Sequence, residues 1–334
     1  MRIAIYGAGS IGTVLGAFLS KDGLDVELIT RNERHVKGLN EHGARIIGTL
    51  SMTVPVRALL PEQMAGVYDL IFLITKQIDN ASVVKRLMNF LAEDGAICTF
   101  QNGLPEYLIG EIAGGKRTFG CTVAWGATLI GDGVCELTSD PNNLSFSLGS
   151  LSNADNHIIN QIKSVLEHMG KVEIETNFIG ARWSKLLTNT ALSGMSAVLG
   201  CTIGEAAGNR ASRLIVQRLI KECIDVTKAA HIHMELIQGM DLVKLFDYDN
   251  IVKEKVSNLI IPFAIRKHKA IKASMLQDLE KGKITEVDSI NGVVCEFGRK
   301  HKVPTPYNDR VVSIIHKIEQ GERKPSFENL RFFN

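Results

Sequence analysis

Two polar clusters in the second half of the chain have residue types and a spacing that chemistry could use. Lys185, Asn189 and Ser193 recur every four residues in an otherwise apolar stretch. Side chains four apart on a helix share one face, so these three predict a polar stripe that is either solvated or lines a cleft. The other cluster holds Ser274 and Glu286. A lysine ammonium can donate a proton and stabilise charge on an oxygen. From periodicity alone, however, helix capping and solvated polar side chains explain both clusters better than a site does.

A glycine-rich turn near the start of the chain predicts a dinucleotide site. Gly7, Gly9 and Gly12 form a Gly-x-Gly-x-x-Gly motif between a predicted strand and a predicted helix, which is the context that makes the motif specific. The first glycine permits the tight turn, the second lets a pyrophosphate approach the backbone, and the third lets the helix pack closely. Unpaired N–H groups and the helix dipole would favour the pyrophosphate there. The predicted cofactor-binding turn comprises Gly7, Ala8, Gly9, Ser10, Ile11 and Gly12. The alternative is a glycine-rich turn without a ligand.

The end of the second predicted strand bears on which dinucleotide is bound. Sites for NAD place an Asp or Glu there to hold the ribose 2′-hydroxyl, but this chain has Arg31 followed by Asn32. A carboxylate would repel a 2′-phosphate, whereas a guanidinium can pair with it through two hydrogen bonds. Arg31 therefore favours NADP(H), with an ordinary exposed arginine as the alternative.

Further polar residues follow predicted strands. Residues 69–75 and 96–100 are apolar runs of strand length, followed by Lys76 and Asn102 respectively. Ligands of open α/β sheets bind outside the carboxyl ends of strands, where the glycine turn and Arg31 also fall. The convergence predicts one shared site. Taken singly, Lys76 is compatible with a solvated lysine and Asn102 with an ordinary turn.

The apolar periodicity predicts an α/β domain followed by an all-helical one. We predict an N-terminal Rossmann-type NADP-binding domain at residues 1–177 and an all-α substrate and catalytic domain at residues 178–334. The predicted strands are 2–6, 25–29, one or two within 44–58, 69–75, 96–100, 118–125, 133–138, 144–148 and 171–175. The predicted helices are 10–19, 33–41, 81–91, 151–169, 181–199, 205–231, 250–266, 271–281, 286–301 and 307–319, and residues 323–334 are expected to form a surface tail.

Composition narrows the partners and the compartment. A net charge of +2 from 38 basic and 36 acidic residues gives no indication of nucleic acid. No apolar run is long enough for a membrane helix, and the chain begins directly with a strand, so we expect neither membrane attachment nor a signal peptide. The six cysteines are scattered without a Cys-x-x-Cys pair, which indicates buried thiols in a reducing cytoplasm. His231 and His233 would point to different helix faces, so no metal site is predicted.

The chain resembles the ketopantoate reductase (2-dehydropantoate 2-reductase) family over nearly its whole length. The resemblance rests on segments that occur in this order: Gly7–Gly12, Thr75–Lys76, Gln101–Gly103, Trp183–Leu186 with Asn189, Ser274–Asp278, and Thr285–Asp288 with Asn291–Gly292. It implies a Rossmann domain followed by an all-helical domain. It also implies that Lys76, Asn102 and Gly126 lie on the cofactor side.

The resemblance assigns roles in the helical half as well. The lysine that matches Lys185 is the family's catalytic acid, and the asparagine that matches Asn189 binds substrate. The serine that matches Ser274 contacts the substrate carboxylate. The glutamate that matches Glu286 faces both the cofactor and the lysine, so that it would keep the ammonium charged. Ser193 is predicted to be a substrate-binding position, together with Lys185.

The implied reaction is reduction of a 2-oxo acid by NADPH: 2-dehydropantoate to pantoate, in pantothenate and coenzyme A biosynthesis. The sequence departs from the family at substrate-binding positions. Ser193 and Ile271 stand where the family has asparagines, and a further family asparagine is replaced near Ile203. The identity of the 2-oxo acid is therefore open, and a same-fold reductase of another 2-oxo acid or ketone is the alternative. A non-catalytic NADP-binding sensor would be expected to lose Lys185 or Glu286. An apolar helical domain permits a homodimer without demanding one.

Overall fold

The computed structural model describes residues 1–152, 156–237, 239–266 and 269–333. It divides into two compact units, Met1–Phe178 and Ile179–Asn334. The strands of the first unit are β1 (Arg2–Tyr6), β2 (Asp25–Ile29), β3 (Ala44–Gly48), β4 (Met52–Val54), β5 (Arg57–Leu59), β6 (Tyr68–Leu73), β7 (Leu91–Thr99), β8 (Thr118–Val123), β9 (Ala127–Gly131), β10 (Val134–Leu137), β11 (Ser145–Gly149) and β12 (Lys171–Ile174). Its helices are α1 (Ser10–Lys21), α2 (Glu33–His42), α3 (Asn80–Leu87), α4 (Pro105–Ala113) and α5 (Asn156–Leu166).

The large sheet of this unit has the strand order β12, β11, β8, β7, β6, β1, β2, β5. From β8 to β5 the neighbouring strands pair in parallel, whereas β11 is antiparallel to β8. The chain leaves β1 on one side through β2 and β5, and on the other through β6, β7 and β8. That is the order of a doubly wound dinucleotide-binding sheet, in which ligands lie where the order reverses.

Helix α1 is buried between the large sheet and a smaller one, whose order is β4, β3, β10, β9. Val14 and Leu15 of α1 share a buried core with Ile5 of β1, Ile46 of β3 and Cys135 of β10. Apolar side chains thus cover α1 on both sides and fix its N-terminus against the end of β1.

The second unit is helical throughout its regular elements. Its helices are α6 (Phe178–Thr188), a π-helical segment (Asn189–Ser193), α7 (Gly194–Leu199), α8 (Ile203–Gly208), α9 (Arg210–Ala229), α10 (Leu242–Phe246), α11 (Ile251–Ala264), α12 (Ser274–Glu280), α13 (Val287–His301), α14 (Pro306–Glu319) and a 3₁₀ segment (Phe327–Phe333). An α/β unit followed by a helical one confirms the predicted fold class.

Several element predictions were wrong in detail. The pattern at 205–231 is two helices, because the Asn209 side chain accepts hydrogen bonds from the backbone N–H groups of Ala211 and Ser212 and begins a new helix. Residues 44–58 hold three short strands, and α4 and α10 were not predicted. Of the helix expected at 151–169, residues 153–155 lie outside the described part of the chain.

The expected surface tail is partly buried. Asn329 is 4% exposed, and its side-chain amide donates to the carbonyl oxygens of Val198 (3.0 Å) and Lys324 (2.9 Å). The backbone N–H of Ser326 donates to the same Val198 oxygen at 3.1 Å. This segment therefore satisfies a carbonyl near the end of α7. Asn334 lies outside the described residues.

Within the described ranges, no helix is long and apolar enough to span a bilayer. Nor do those ranges contain a group of three or more His, Cys, Asp or Glu side chains placed to hold a metal ion. All six cysteines are buried, and none of them forms a disulfide.

Candidate functional site

Five predicted cofactor positions lie at one edge of the large sheet. Gly7 follows β1, Arg31 follows β2, Lys76 follows β6, Asn102 follows β7 and Gly126 follows β8. Since these strands run parallel, their carboxyl ends share that edge. The sequence prediction that these residues converge is thereby given a geometric basis within the first unit.

The glycine turn touches the segment that carries Lys76. Gly7 has φ of +116°, and a Cβ atom there would lie 2.6 Å from the backbone nitrogen of Thr75. Only glycine fits, both because of the positive φ and because of this approach. The N–H of Gly7 donates to the Ile29 carbonyl at 2.9 Å, which also ties the turn to the end of β2.

The remaining glycines of the motif differ in what surrounds them. A Cβ at Gly12 would lie 2.5 Å from the Gly7 carbonyl oxygen, so this position lets α1 pack against the turn. A Cβ at Gly9 would meet no atom within 4 Å. Gly9 is also the N-cap of α1, with no side-chain cap and no acidic residue in the first turn. The start of α1 is thus open and suited to an anion.

Arg31 is exposed, and within the described residues its guanidinium forms neither a hydrogen bond nor an ion pair. The nearest acid of the strand before it, Glu27, is fully buried and pairs with Arg2 at 3.0 Å and Arg57 at 2.7 Å. It also accepts a hydrogen bond from Tyr68, whose pKa is raised by burial and by that bond. Glu27 is therefore committed to the core of the sheet, and no acid stands at the tip of β2.

A buried amide network, which the sequence analysis missed, joins the loops after β6 and β7. Gln101 is 4% exposed, donates to Asn80 Oδ1 at 2.9 Å and accepts from Thr99 Oγ1 at 3.0 Å. Gln77 donates from its side chain to the Asn102 carbonyl. These contacts hold the segments of Lys76 and Asn102 together. The sequence signal for this network was the group of polar residues that follows each apolar run. Those residues are equally compatible with ordinary turns.

Gly126 lies between β8 and β9 and is held by the two residues that follow β10. Its N–H donates to Ser139 Oγ at 2.9 Å, and its carbonyl accepts from the Thr138 N–H at 3.0 Å. A Cβ at this position would lie 2.9 Å from Thr138 Oγ1. The backbone at the end of β8 is therefore fixed.

In the second unit, Lys185 and Asn189 lie one helical turn apart, and both are partly buried. The α-helix changes to π geometry at Asn189, whose carbonyl accepts from the Gly194 N–H five residues ahead. The wider π turn rotates the helix that follows it. Regular α-helical spacing therefore no longer places Ser193 on the predicted stripe with Lys185 and Asn189. Asn189 and Ser193 nevertheless line one cavity, described below.

A side-chain amide from a distant helix supports the π segment. Asn291, which is fully buried, donates from Nδ2 to the Thr190 carbonyl at 3.1 Å and to Asn308 Oδ1 at 2.9 Å. Asn308 in turn donates to Glu222 at 2.7 Å. Burial raises the pKa of Glu222, against the opposing effect of bonds from Tyr307 and Asn308. The π segment is thus bonded to α13 and, through it, to α14 and α9.

The cavity has a volume of about 340 Å³, and the described residues that line it all belong to the second unit. Its polar side chains are Thr188, Asn189 and Ser193. The rest of its wall is apolar and includes Ile203, Phe246, Ile261, Ile265 and Ile271. The cavity therefore brings together Ser193, Ile203 and Ile271, the positions at or near which the sequence analysis placed departures from the family that the chain resembles.

Three of the residues predicted for the second unit do not line this cavity: Lys185, Ser274 and Glu286. Ser274 is exposed and is the first residue of α12. Glu286 is partly buried and is the N-cap of α13. Thr285 beside it accepts from the Val287 N–H at 3.2 Å and donates its own N–H to Glu319 at 2.7 Å. The start of α13, predicted from the sequence, is therefore held in place by α14.

Comparisons with known proteins cover both units. The family model "Ketopantoate reductase PanE/ApbA" matches residues 3–151, and "Ketopantoate reductase PanE/ApbA C terminal" matches residues 177–319. The 2-dehydropantoate 2-reductase of Pyrococcus horikoshii is 27% identical over 321 residues, 96% of this chain and 98% of that protein. The Lactococcus lactis 2-dehydropantoate 2-reductase is 26% identical over 326 residues, 96% of this chain and 98% of that protein.

A solved structure shares the fold over the same extent. D-mandelate dehydrogenase with NADH and anilino(oxo)acetate has a TM-score of 0.81 at 23% identity, covering 96% of this chain and 99% of that one. The two matched models leave few residues outside them, and the relatives match almost end to end. The chain therefore belongs to the ketopantoate reductase family of oxidoreductases.

Proposed function

We propose that this protein reduces a 2-oxo acid with NADPH, converting 2-dehydropantoate to pantoate. The observation that carries the proposal is the shared edge at which the glycine turn, Arg31, Lys76, Asn102 and Gly126 follow five parallel strands. The names of the relatives, 2-dehydropantoate 2-reductase, support the choice of substrate.

The first unit fits a dinucleotide. The open position at Gly9 and the uncapped start of α1 leave room and unpaired N–H groups for a pyrophosphate. Gly7 to Gly12 would hold that group, Arg31 the 2′-phosphate, and Lys76, Asn102 and Gly126 the remainder of the cofactor. When bound, the nicotinamide supplies the hydride.

The second unit would orient and protonate the substrate. Lys185 is the proposed general acid: its ammonium stabilises the developing alkoxide and gives it a proton. Glu286 would keep Lys185 charged, because its carboxylate opposes the desolvation that favours a neutral lysine. It would also face the cofactor. Asn189 and Ser193 would bind the substrate from the cavity wall, and Ser274 its carboxylate.

The test is NADPH oxidation by the purified protein, measured against a panel of 2-oxo acids. Turnover of 2-dehydropantoate with release of pantoate is the expected result. Turnover of other ketones only would favour the alternative of a same-fold reductase with a different substrate. Binding of NADPH with no turnover at all would favour a non-catalytic sensor.

The proposal extends to the partner, the pathway and the location of the protein. We propose a small-molecule 2-oxo acid as the partner, a place in pantothenate biosynthesis, a cytoplasmic location and no nucleic acid partner. A homodimer is tested directly by light scattering of the purified chain, where a mass twice that of the 36.6 kDa chain would establish it.

A further inference from the structure

The cavity of the second unit offers very little to a polar ligand. Among the described residues that line it, none is charged, and only Thr188, Asn189 and Ser193 carry polar side chains. The Thr188 hydroxyl is already committed, because it donates to the Lys185 carbonyl at 2.8 Å. Within the described ranges, the Asn189 and Ser193 side chains have no hydrogen-bond partner. The described part of the wall therefore offers a ligand two polar side chains, those of Asn189 and Ser193.

Much of the apolar part of the wall is buried in the unit. Ile261 is 1% exposed and Phe246 3%, and Ile265 and Ile203 are similarly buried. These side chains come from helices α8, α10 and α11 and from the turn after α11. A volume of about 340 Å³ lies at the lower end of small-molecule sites, so the cavity suits a substituent of a few carbons rather than a large ligand.

The proposed acid, Lys185, does not itself line the cavity, but it lies one helical turn before Asn189, which does. Residues so spaced are neighbours on a helix surface. A 2-oxo acid whose carbonyl oxygen is protonated by Lys185 and bound by Asn189 would therefore direct its substituent along the wall that holds Ser193, Ile203 and Ile271.

We propose that this cavity takes the apolar substituent of the substrate, so that the protein reduces branched 2-oxo acids that lack a hydroxyl group with a kcat/KM within about a hundredfold of that for 2-dehydropantoate. The inference rests on the proposed function and specifies its substrate class. With Asn189 used by the carbonyl end, Ser193 is the polar side chain that the described wall leaves for a substrate hydroxyl. A site with an isoleucine at 271 gains nothing from a hydroxyl directed toward that side chain, and a mainly apolar pocket discriminates weakly on this group.

The substrate pair that isolates this point is 2-dehydropantoate and 3,3-dimethyl-2-oxobutanoate, which differ only by one hydroxyl group. We expect their kcat/KM values with NADPH to differ by less than about a hundredfold, since sites built to bind a hydroxyl reject the analogue by about 10⁴ or more. A preference for 2-dehydropantoate of a hundredfold or more overturns the inference and leaves the proposed function intact. Turnover of neither acid overturns the proposed function itself.

A variant tests the cavity wall directly. Ile271 is 47% exposed, so Ile271→Asn can fold, and it should raise the preference for 2-dehydropantoate over its deoxy analogue by about three- to tenfold through one added hydrogen bond. Ile251→Asn is the control, because Ile251 is 70% exposed and does not line the cavity. Equal substrate ratios in the two variants would show that the substituent does not reach Ile271.

Discussion

At the scale of single residues, the side chains proposed for chemistry are those that the fold leaves available. Glu27 and His35 are just as polar as Arg31, yet both are buried and bonded in the core of the first unit. Arg31 points to the surface without a partner among the described residues. Availability, rather than charge, distinguishes a residue that can bind a ligand from one that holds the sheet together.

Arg31→Asp should reverse or abolish a preference for NADPH over NADH. The change removes a charge-assisted pair with the 2′-phosphate and adds repulsion, at a combined cost of about 2–4 kcal/mol. Calorimetric titration with both cofactors measures it, and Arg210→Asp, an equal charge change on an exposed arginine of α9, is the control. Equal affinity of the wild-type protein for both cofactors would contradict the assignment of Arg31.

Lys185→Ala should lower kcat by about 10²–10⁴-fold with little change in NADPH affinity. The wild-type rate should also fall at alkaline pH, because the ammonium loses its proton. Lys281→Ala, at the end of α12, removes an exposed lysine and serves as the control. If Lys185→Ala retained more than a tenth of wild-type turnover, another group or water would be the acid.

His35 should make the protein less stable in acid. Its Nδ1 accepts from the Gly133 N–H at 3.0 Å, so the neutral ring carries its proton on Nε2, which donates to Thr13 Oγ1 at 3.0 Å. Burial lowers the pKa of His35 from 6.5. Its stabilisation is therefore complete above pH 6.5 and is lost as the pH falls through the lower folded-state pKa.

Urea unfolding at pH 7.5 and pH 5 measures this effect. His35→Gln should be less stable at pH 7.5 but should lose less free energy of unfolding on acidification than the wild type. An identical acid-induced loss in both proteins would assign the effect to other groups.

At the scale of elements, the sequence predicted those that depend on local pattern and missed those that depend on distant partners. The glycine turn, the strand-end residues and the start of α13 follow from short motifs next to apolar runs. The π segment does not, because its support comes from Asn291, more than a hundred positions along the chain. Nor could spacing reveal that Ser193, Ile203 and Ile271 share a cavity, since α8 and the turn before α12 meet the π segment only in the folded unit.

Asn291→Ala should impair substrate binding through the π segment. It removes the hydrogen bonds to Thr190 and Asn308 and should cost about 1–3 kcal/mol of stability. We expect KM for the 2-oxo acid to rise while NADPH affinity is unchanged, because Asn189 and Ser193 lose their fixed backbone. Asn329→Ala is the matched control: another buried asparagine that donates two bonds, outside this segment. A rise in KM of the same size in both variants would indicate general destabilisation.

At the scale of the whole molecule, all six cysteines are buried thiols that form no disulfide. Burial raises the pKa of Cys135 and Cys201 to about 11 and that of Cys295 to about 12. The thiolate is the reactive form, so at pH 8 the native protein should react with a thiol reagent far more slowly than the unfolded chain. Six thiols should react promptly in strong denaturant. Rapid reaction of one thiol in the native protein would contradict the burial described here.

The segment from Lys324 to Asn329 has a practical consequence for handling the protein. Pro325 packs over Gly200, since a Cβ atom on Gly200 would lie 2.9 Å from the Pro325 Cβ. Ser326 and Asn329 both donate hydrogen bonds to the Val198 carbonyl. Proteolytic clipping or truncation ahead of Ser326 would expose the end of α7 without removing any residue proposed to bind substrate or cofactor. An affinity tag fused after Asn334 would follow this segment within a few residues, so we recommend a flexible spacer between the two for expression.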